Sequence, residues 1–212
     1  MKTNKKTNSN HTLKLFLAVA IVFLKCTFLF SQTTLLDSLT LDTMTAFTSI
    51  EDALKNPDAV IKLELRKKKL KVFPNEIFQF KNLQYLDLTK NNIEEIPEEI
   101  SQLTNLQYFS MSKNDLEMLP KQIGDLVNLY YLNFNQNELG GLPPQIGKLV
   151  KLRNIDLWSN NIATFPEEIK SLKNLKILDL RVILIPDAEQ SRIQGLLPDT
   201  KVHFSPFCRC AQ

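Results

Sequence analysis

The sequence predicts an α/β solenoid, in which short parallel strands line one side of each coil and short helical turns line the other. The first observation behind this prediction is a repeat of 23 residues, typified by the stretch LQYLDLTKNNIEEIPEEISQLTN. Self-similarity at a period of roughly 20–50 residues is typical of solenoids. The copies begin at Val60, Leu83, Leu106, Leu129, Leu152 and Leu175, of which the first is looser and the last is truncated.

The second observation is that proline and isoleucine keep strict positions within the repeat. Five of the ten prolines share one phase, and an isoleucine follows each of them by three residues. Proline suits the first turn of a helix, and residues three apart lie on one helix face, so each pair predicts one or two helical turns opposite a strand. The pairs are Pro74 and Ile77, Pro97 and Ile100, Pro120 and Ile123, Pro143 and Ile146, and Pro166 and Ile169.

The third observation is the pattern LxxLxL at the start of each repeat. Apolar residues two apart predict a short strand with one face buried. The coil that starts at Leu83 adds further apolar residues, such as Ile93 and Leu103, to this inward set. Because a single coil cannot bury so many apolar side chains, the coils must stack on one another.

An asparagine follows the strand at the same position in four consecutive repeats. Its carboxamide both donates and accepts hydrogen bonds, so we expect it to satisfy backbone groups buried in the inward turn and in the neighbouring coil. Lys68 and Ile183 hold this position in the flanking repeats, which predicts that the array ends there. The four predicted structural residues are Asn91, Asn114, Asn137 and Asn160.

Segments at both ends are predicted to cover the hydrophobic interior of the terminal coils. Residues 48–51 have the form of a capping box, in which Thr48 accepts the N3 amide, and this predicts a short helix from about Ser49 to Lys55. The Ser- and Thr-rich stretch 32–47 before it is predicted to be weakly ordered. At the other end, residues 187–197 are predicted to be helical.

The repeat resembles the typical leucine-rich repeat, and its LPxEIxxLxNL phrase is similar to exported bacterial members of that family. The resemblance implies a horseshoe with a concave parallel β-sheet and short helical turns on the convex side. ALKNPDAV is similar to the N-terminal capping segment of such proteins, and LLPDTKVHF to their closing helix-to-strand unit. The predicted organisation is a signal peptide at 1–31, an N-terminal cap segment with a short helix at 32–59, five full repeats and one truncated repeat at 60–185, and a C-terminal cap at 186–212.

Residues 1–31 have the features of a secretory signal peptide. A basic, polar start precedes the apolar run 15–24, and Ser31 is a small residue at a suitable cleavage point. We therefore expect an exported protein, whether secreted, periplasmic or at the cell surface, without an integral membrane span after cleavage. Two alternatives stay open. The run could be kept as an anchor if it continues past Lys25, or Cys26 could carry a lipid, although Lys25 is a poor residue to precede a modified cysteine.

The charge balance gives no reason to expect a nucleic-acid partner. Five of the 26 basic residues lie in the leader, which has no acidic residue. The rest of the chain therefore carries 21 basic residues against 23 acidic ones. A nearly neutral protein lacks the basic surface that binds phosphate backbones.

The C-terminal cysteines favour a disulfide over a metal site. Cys208 and Cys210 form an even pair in a chain predicted to be exported, although a bridge around one residue would be tight. Whether they are bridged stays open. With His203 they would offer three ligands at poor spacing and no fourth, so we expect no metal.

Residue usage also argues against catalysis. After the leader one histidine remains, His203 in the cap, so no Ser–His or Cys–His pair can be assembled within the repeats. The five glycines are too scattered to form a phosphate-binding loop. We predict that the protein is not an enzyme and that it has no cofactor.

The strand residues that point away from the core are predicted to line the concave face, where curved solenoids commonly bind partners. Three tyrosines in consecutive coils and the single tryptophan lie on this face, and both residue types carry binding energy at protein interfaces. Aromatic neighbours on adjacent strands could instead serve only to stabilise the sheet. The predicted ligand-binding residues are Tyr85, Asp87, Tyr108, Tyr131, Asn133, Asn135, Asp156 and Trp158.

These observations predict a non-catalytic module that recognises a protein or peptide through the concave face of the solenoid. The identity of the partner and the oligomeric state are not encoded in any motif. The alternative is a structural protein that binds a glycan or the cell envelope. Stacked tyrosines flanked by Asp and Asn side chains would also suit a sugar, because their rings are apolar and their hydroxyls are polar.

Overall fold

The computed structural model describes residues 34–205, of which those from Leu36 onward belong to one compact unit. In this unit seven strands form one sheet, and every neighbouring pair is parallel. The order of the strands in the sheet is their order in the chain, as expected when each coil stacks on the one before it. The strands are β1 (Lys62–Glu64), β2 (Tyr85–Asp87), β3 (Tyr108–Ser110), β4 (Tyr131–Asn133), β5 (Asn154–Asp156), β6 (Ile177–Leu180) and β7 (Lys201–Phe204).

The pairing register between strands equals the repeat period. Tyr85 pairs with Tyr108 and Tyr108 with Tyr131, so equivalent positions of successive coils stand side by side. Each of the first five strands is only three residues long. The stability of the sheet therefore depends on stacking many short strands. The predicted leucine-rich-repeat solenoid is confirmed.

Short 3₁₀ helices lie opposite the strands in each of the five full coils, where helical turns were predicted, and one more precedes the first coil. In five coils the in-phase proline lies immediately before the helix with an extended ψ, as at Pro97 with φ −70° and ψ 156°. These prolines therefore lead into the turn from outside and do not occupy its first position, which corrects the expectation. The 3₁₀ helices are Pro57–Ala59, Asn75–Gln79, Glu98–Gln102, Lys121–Asp125, Pro144–Lys148 and Glu167–Ser171.

Two of these turns contain a glycine that the next coil requires. A Cβ on Gly124 would lie 2.5 Å from the carbonyl oxygen of Gln145, and one on Gly147 would lie 2.5 Å from that of Glu168. Ser101 holds the same repeat position one coil before Gly124. The convex turns in the second half of the solenoid thus approach one another too closely for any side chain. This close approach was not predicted from the sequence, where both glycines were grouped with the other scattered glycines.

The hydrophobic core runs without a break from Ala53 to Leu197. Each coil contributes its two inward strand residues and the isoleucine and leucine of its helical turn. Phe109 and Phe134, from neighbouring coils, meet edge to face with their ring centroids 5.2 Å apart. Such a contact adds about 0.5–1.5 kcal/mol beyond the apolar area that the rings bury.

The four in-phase asparagines are buried and bind backbone groups of two coils. The side chain of Asn137 accepts a hydrogen bond from the Leu116 amide at 3.1 Å and donates to the carbonyls of Met111 and Phe134 at 2.9 and 3.0 Å. Asn91, Asn114 and Asn160 make the equivalent bonds. In each coil the residue before the asparagine is left-handed, with φ between 52° and 61°. We call these four residues the asparagine ladder.

The N-terminal segment is more ordered than the sequence analysis expected. Helix α1 (Ser38–Thr43) lies within the stretch predicted to be weakly ordered, and its Leu41 is fully buried. Helix α2 (Ile50–Leu54) is capped by Ser49, whose hydroxyl accepts from the Asp52 amide at 3.3 Å. The cap is therefore one residue beyond the predicted Thr48. Between the two helices Phe47 bridges the outer edge of β1.

The C-terminal cap consists of helix α3 (Asp187–Leu196) followed by β7. The carboxylate of Glu189 accepts from the Phe165 amide at 2.9 Å, and the guanidinium of Arg192 donates to the Phe165 carbonyl. Ile193 is fully buried against the last coil. These contacts fasten the helix to the preceding repeat.

Several predictions fall outside the described residues. The leader at 1–31 lies there, and so do Cys208 and Cys210 with their predicted bridge. Within residues 34–205, no helix has both the length and the apolar character needed to cross a bilayer.

Candidate functional site

Three outward columns of side chains line the concave face of the sheet. The first column contains the three tyrosines, and the register of the strands places their rings next to one another. The second column runs through Asp87, Ser110, Asn133 and Asp156. The third follows the strand ends and includes Asn135 and Trp158. All eight predicted ligand-binding residues therefore belong to these columns.

The tyrosine rings stack face to face. The ring centroids of Tyr85 and Tyr108 are 3.9 Å apart with an angle of 2° between the planes, and those of Tyr108 and Tyr131 are 4.6 Å apart with an angle of 3°. Burial raises the pKa of all three phenols above the usual value. The stack thus offers ring edges to a ligand, because most ring faces are already covered by a neighbour.

Lys62 closes the outer end of the stack. Its ammonium nitrogen lies 4.4 Å from the centroid of the Tyr85 ring, which is within the range of a cation–π contact. The same nitrogen donates to the carbonyl oxygens of Leu41 and Asp42, at 2.9 and 3.0 Å. Only 6% of Lys62 is exposed, so this lysine links the stack to the N-terminal segment.

A segment of the chain, Leu36–Thr43, lies across this end of the face, and we call it the strap. The Leu36 amide donates to the side-chain oxygen of Gln84 at 2.8 Å, and the side-chain nitrogen of Gln107 donates to the Leu36 carbonyl at 2.9 Å. The two glutamines also bond to each other at 2.9 Å. The strap is therefore held by side chains of successive coils.

Two predicted ligand-binding residues are not accessible. Only 5% of Tyr85 and 2% of Asp87 is exposed. Lys62 and the ring of Tyr108 lie over the two faces of Tyr85. Asp87 pairs with the guanidinium of Arg66 at 2.7 Å and accepts from the Thr89 amide. These two side chains stabilise the concave face and offer little surface to a ligand.

The other six predicted residues are partly exposed, and hydrogen bonds connect four of them, Asn133, Asn135, Asp156 and Trp158. The Asn135 amide group donates to the Asp156 carboxylate at 2.6 Å, and that carboxylate also accepts from the Trp158 backbone amide at 3.1 Å. Burial raises the pKa of Asp156, and the hydrogen bond from Asn135 opposes that rise. The network fixes the backbone that carries Trp158. The six residues are Tyr108, Tyr131, Asn133, Asn135, Asp156 and Trp158.

A cavity of about 530 Å³ opens beside the strap. The strap contributes Ser38 and Asp42 to its wall. The sheet side combines the three stacked tyrosines, of which Tyr85 is the least exposed, with Tyr130 and with polar and basic residues of the following coils. These sheet residues are Tyr85, Tyr108, Tyr130, Tyr131, Arg153, Asn154 and Lys176.

Four of these sheet residues were not among the predicted ligand-binding residues. Asn154 follows the tyrosines in the first column, and the other three are Tyr130, Arg153 and Lys176. These three occupy the second position of successive repeats, immediately before the strand, in the same column as Gln84 and Gln107. This column was left out because only the strand positions were assigned to the face. A polar or aromatic residue recurring at a period of 23 was the available signal.

Tyr130 is the cavity residue with the most perturbed acid–base chemistry apart from the central tyrosine of the stack. Burial raises its pKa to about 12, with a further contribution from the negative charge of Asp42 on the strap. A phenol that stays protonated is a hydrogen-bond donor at any physiological pH. Within residues 34–205, no three His, Cys, Asp or Glu side chains lie close enough to hold a metal ion.

Comparison with known families and structures follows the same repeats. A model described as a leucine-rich repeat region matches residues 61–139, and a second, described as a leucine rich repeat, matches residues 151–172. No curated protein matches the chain.

Three solved structures illustrate the structural similarity. A leucine-rich-repeat protein of Leptospira interrogans is 36% identical over 64% of the chain, with a TM-score of 0.54. Internalin C2 of Listeria monocytogenes is 26% identical over 72% of the chain, with a TM-score of 0.61. The ectodomain of the Arabidopsis thaliana receptor kinase GASSHO1/SCHENGEN3, in complex with CASPARIAN STRIP INTEGRITY FACTOR 2, is 28% identical over 63% of the chain, with a TM-score of 0.55. The aligned region spans 41%, 64% and 17% of those chains respectively.

Proposed function

Because this chain is a leucine-rich-repeat protein, we propose that it is a non-catalytic module that recognises a protein or peptide through its concave face. Leucine-rich repeats commonly mediate protein or peptide binding, and proteins of this family are generally not enzymes. The observation that carries the proposal is the cavity beside the strap, with Tyr108, Tyr130 and Tyr131 in its wall. Partly exposed aromatic residues on a rigid sheet are typical anchors of a protein interface.

The cavity also offers charged groups that have no partner among residues 34–205. Among the described residues, the side chains of Arg153 and Lys176 form no ion pair and no hydrogen bond. Both lie at the edge of the aromatic surface. An arrangement with apolar anchors in the centre and charges at the rim is the usual anatomy of a recognition surface.

Two of the similar structures are complexes of receptors with their ligands. One is the plant ectodomain bound to CASPARIAN STRIP INTEGRITY FACTOR 2, and another is the plant peptide hormone receptor RGFR1 bound to RGF2. The aligned region spans only 17% and 25% of those chains, so they support the class of ligand and not its identity.

The glycan alternative is weaker because sugars bind proteins by packing on open aromatic faces. In the stack, Tyr108 has a ring on both sides, at 3.9 and 4.6 Å, and Tyr85 lies between Tyr108 and Lys62. Within the stack, this leaves one ring face of Tyr131, on the side of Asn154, on which a sugar could pack.

The test compares co-purification from the native source with binding to a glycan array. Both measurements use the unchanged chain and its Arg153→Ala and Glu98→Ala variants. We expect the chain to retain a protein partner and Arg153→Ala to lose most of it, because Arg153 lines the cavity. Glu98→Ala, on the exposed convex turn, should retain the partner fully. Binding to glycans with no retained protein would overturn the proposal.

We also propose that the protein acts outside the cytoplasm, since residues 1–31 have the pattern of a signal peptide. The mature chain then begins near Gln32, a few residues before the strap. N-terminal sequencing of the protein from its native source should find this start in a non-cytoplasmic fraction. An intact Met1 in the cytoplasm would contradict the proposal.

A further inference from the structure

We propose that the strap is a displaceable internal ligand of the concave face, and that the external partner carries the same chemistry, a leucine within a short acidic helical turn. This inference rests on the proposed function and specifies both its partner and its regulation. The strap would then keep the binding surface closed until a partner segment of the same kind replaces it.

The strap buries one of its own side chains completely. Leu41 is 0% exposed, whereas Leu39, two residues earlier on the same helix, is 71% exposed. Leu41 is not part of the continuous core that the stacked coils share. It is therefore buried by docking the strap, as a peptide side chain is buried by docking on a receptor.

The second argument is that the hydrogen bonds described above between the face and the strap use only main-chain groups of the strap. Side chains of Gln84, Gln107 and Lys62 bind the amide and carbonyl of Leu36 and the carbonyls of Leu41 and Asp42. Every peptide has these groups, so another segment with one suitable apolar side chain can make the same bonds. The pairing of the strands with one another includes no residue of the strap, so its release breaks no strand pair.

The third argument is charge complementarity. The strap carries Asp37 and Asp42 and no basic residue, whereas the face supplies Lys62, Arg153 and Lys176. Lys62 already donates a hydrogen bond to the strap, but Arg153 and Lys176 form no ion pair with it. A partner segment with acidic residues beside its leucine would therefore gain charge contacts that the strap does not make.

Asp37 shows how such a segment is pre-organised. Its carboxylate accepts from the Thr40 amide at 3.0 Å and from the Thr40 hydroxyl at 2.7 Å, which caps the single helical turn. A capped turn loses less conformational entropy on docking than an unstructured peptide does. The chemistry expected of the partner is thus an acidic cap followed by a buried leucine four residues later.

The inference also predicts why the closed form should bind weakly. A tethered segment has an effective concentration near its site on the order of millimolar. A free peptide with the same intrinsic affinity therefore competes poorly until the strap is loosened. Loosening the strap should increase binding without any new contact.

The experiment uses the full chain and a fluorescent peptide of residues 34–45, TLLDSLTLDTMT, followed by anisotropy. We expect Leu41→Asp to bind this peptide at least about tenfold more tightly than the unchanged chain does, since the strap no longer docks. The matched variant Leu39→Asp, on the exposed side of the same helix, should behave like the unchanged chain. A control peptide that carries Leu41→Asp should bind none of the three proteins.

Equal peptide binding by the three proteins, with melting midpoints retained, would show that the strap is a permanent cap and overturn the inference. If Leu41→Asp does not fold, hydrogen exchange of the unchanged chain decides. The amides of Thr40, Leu41 and Met44 should exchange much faster than those of β3, and equal protection overturns the inference.

Binding of the external partner is a separate measurement. If Arg153→Ala loses it but Leu41→Asp fails to bind it more tightly, the strap inference fails and the proposed function stands. If the peptide result holds and no partner is retained, the proposed function fails.

Discussion

The concave face has a covered half and an open half, although both are built from the same coil. In the covered half, over β1 to β3, the strap bonds to Lys62, Gln84 and Gln107, and Lys62 lies over Tyr85. In the open half, over β4 to β6, Trp158 and Asn154 stay partly exposed and Arg153 is exposed. The backbone register is the same in both halves. The difference arises from outward side chains and from one N-terminal segment, so equal repeats do not imply equal surfaces.

The convex side is also uneven, but its division does not follow that of the concave face. The coil that lies behind β2 has Ser101 in its turn, whereas the turns behind β3 and β4 have Gly124 and Gly147, with backbone of the next coil at the position of a side chain. The close approach of the turns therefore begins behind the covered half, at β3, and continues behind β4, where the open half starts.

The asparagine ladder should be equally important in both halves, and its loss is the largest expected effect. Asn114→Ala and Asn137→Ala each leave one backbone amide without its partner and remove one of the two ladder hydrogen bonds that each of two backbone carbonyls accepts. A buried unsatisfied group costs about 1–3 kcal/mol, so we expect a large loss in the free energy of unfolding, measured by urea denaturation. Lys68→Ala, at the same repeat position outside the ladder, should be nearly neutral. Equal losses in all three variants would show that the ladder does not hold the turns.

Gly147→Ala tests the close packing behind the open half. The new methyl group would meet the Glu168 carbonyl at 2.5 Å, and such overpacking costs about 1–3 kcal/mol of stability. The control Gly141→Ala has no atom within 4 Å of the added carbon and should be neutral or slightly stabilising. Thermal melting of both variants measures the contrast. A neutral Gly147→Ala would mean that the convex turns can separate without cost.

Tyr108→Ala and Trp158→Ala should separate the roles of the two halves. Tyr108 stacks between two rings, so its removal should lower the melting midpoint as well as weaken binding. Trp158 is partly exposed and has no aromatic ring stacked on it, so its removal should weaken partner binding at least about tenfold with little change in melting.

The contrast requires calorimetric melting and partner titration of the same preparations. Glu168→Ala, an exposed convex variant, serves as the control that should change neither quantity. Loss of stability in Trp158→Ala with unchanged binding in the folded fraction would place the site elsewhere.

The smallest expected effect is at alkaline pH. Tyr130 has its pKa raised to about 12 in the folded state, whereas an unfolded tyrosine has a pKa of about 10. The unfolded chain therefore releases this proton first, and the stability that Tyr130 contributes is complete below about pH 10 and is lost as the pH rises toward 12. The melting midpoint should fall less steeply over this window in Tyr130→Phe. In Asp42→Asn, ultraviolet titration should show a lower pKa for Tyr130, and an unchanged value would contradict the seating of the strap.

Much of the architecture could be predicted because it depends on residues that recur every 23 positions. The strands and the position of the convex turns follow from periodic apolar residues and prolines. A periodic feature is visible in a single sequence because each coil repeats the observation. Ser49 shows the limit of this reading, since a cap at Thr48 or at Ser49 satisfies the same local pattern.

The strap could not be predicted in this way because it occurs once. LDSLTLDT is short and polar, and its helix depends on contacts with Gln84, Gln107 and Lys62, which belong to distant parts of the sequence. Without those contacts a single turn of helix is unstable in water. The burial of Tyr85 was not predicted either, since the residue points outward and is covered by the side chain of Lys62 and the ring of Tyr108.

The asparagine ladder also limits how this protein can change in length over evolution. Each carboxamide joins backbone groups of its own coil to those of the coil before it, so an insertion of a few residues would break bonds in two coils at once. An in-frame duplication of residues 106–128 breaks none, because every bond is supplied again by the new copy. The recognition face can therefore be lengthened in steps of one strand spacing, about 4.8 Å, which is a convenient increment for matching longer partners.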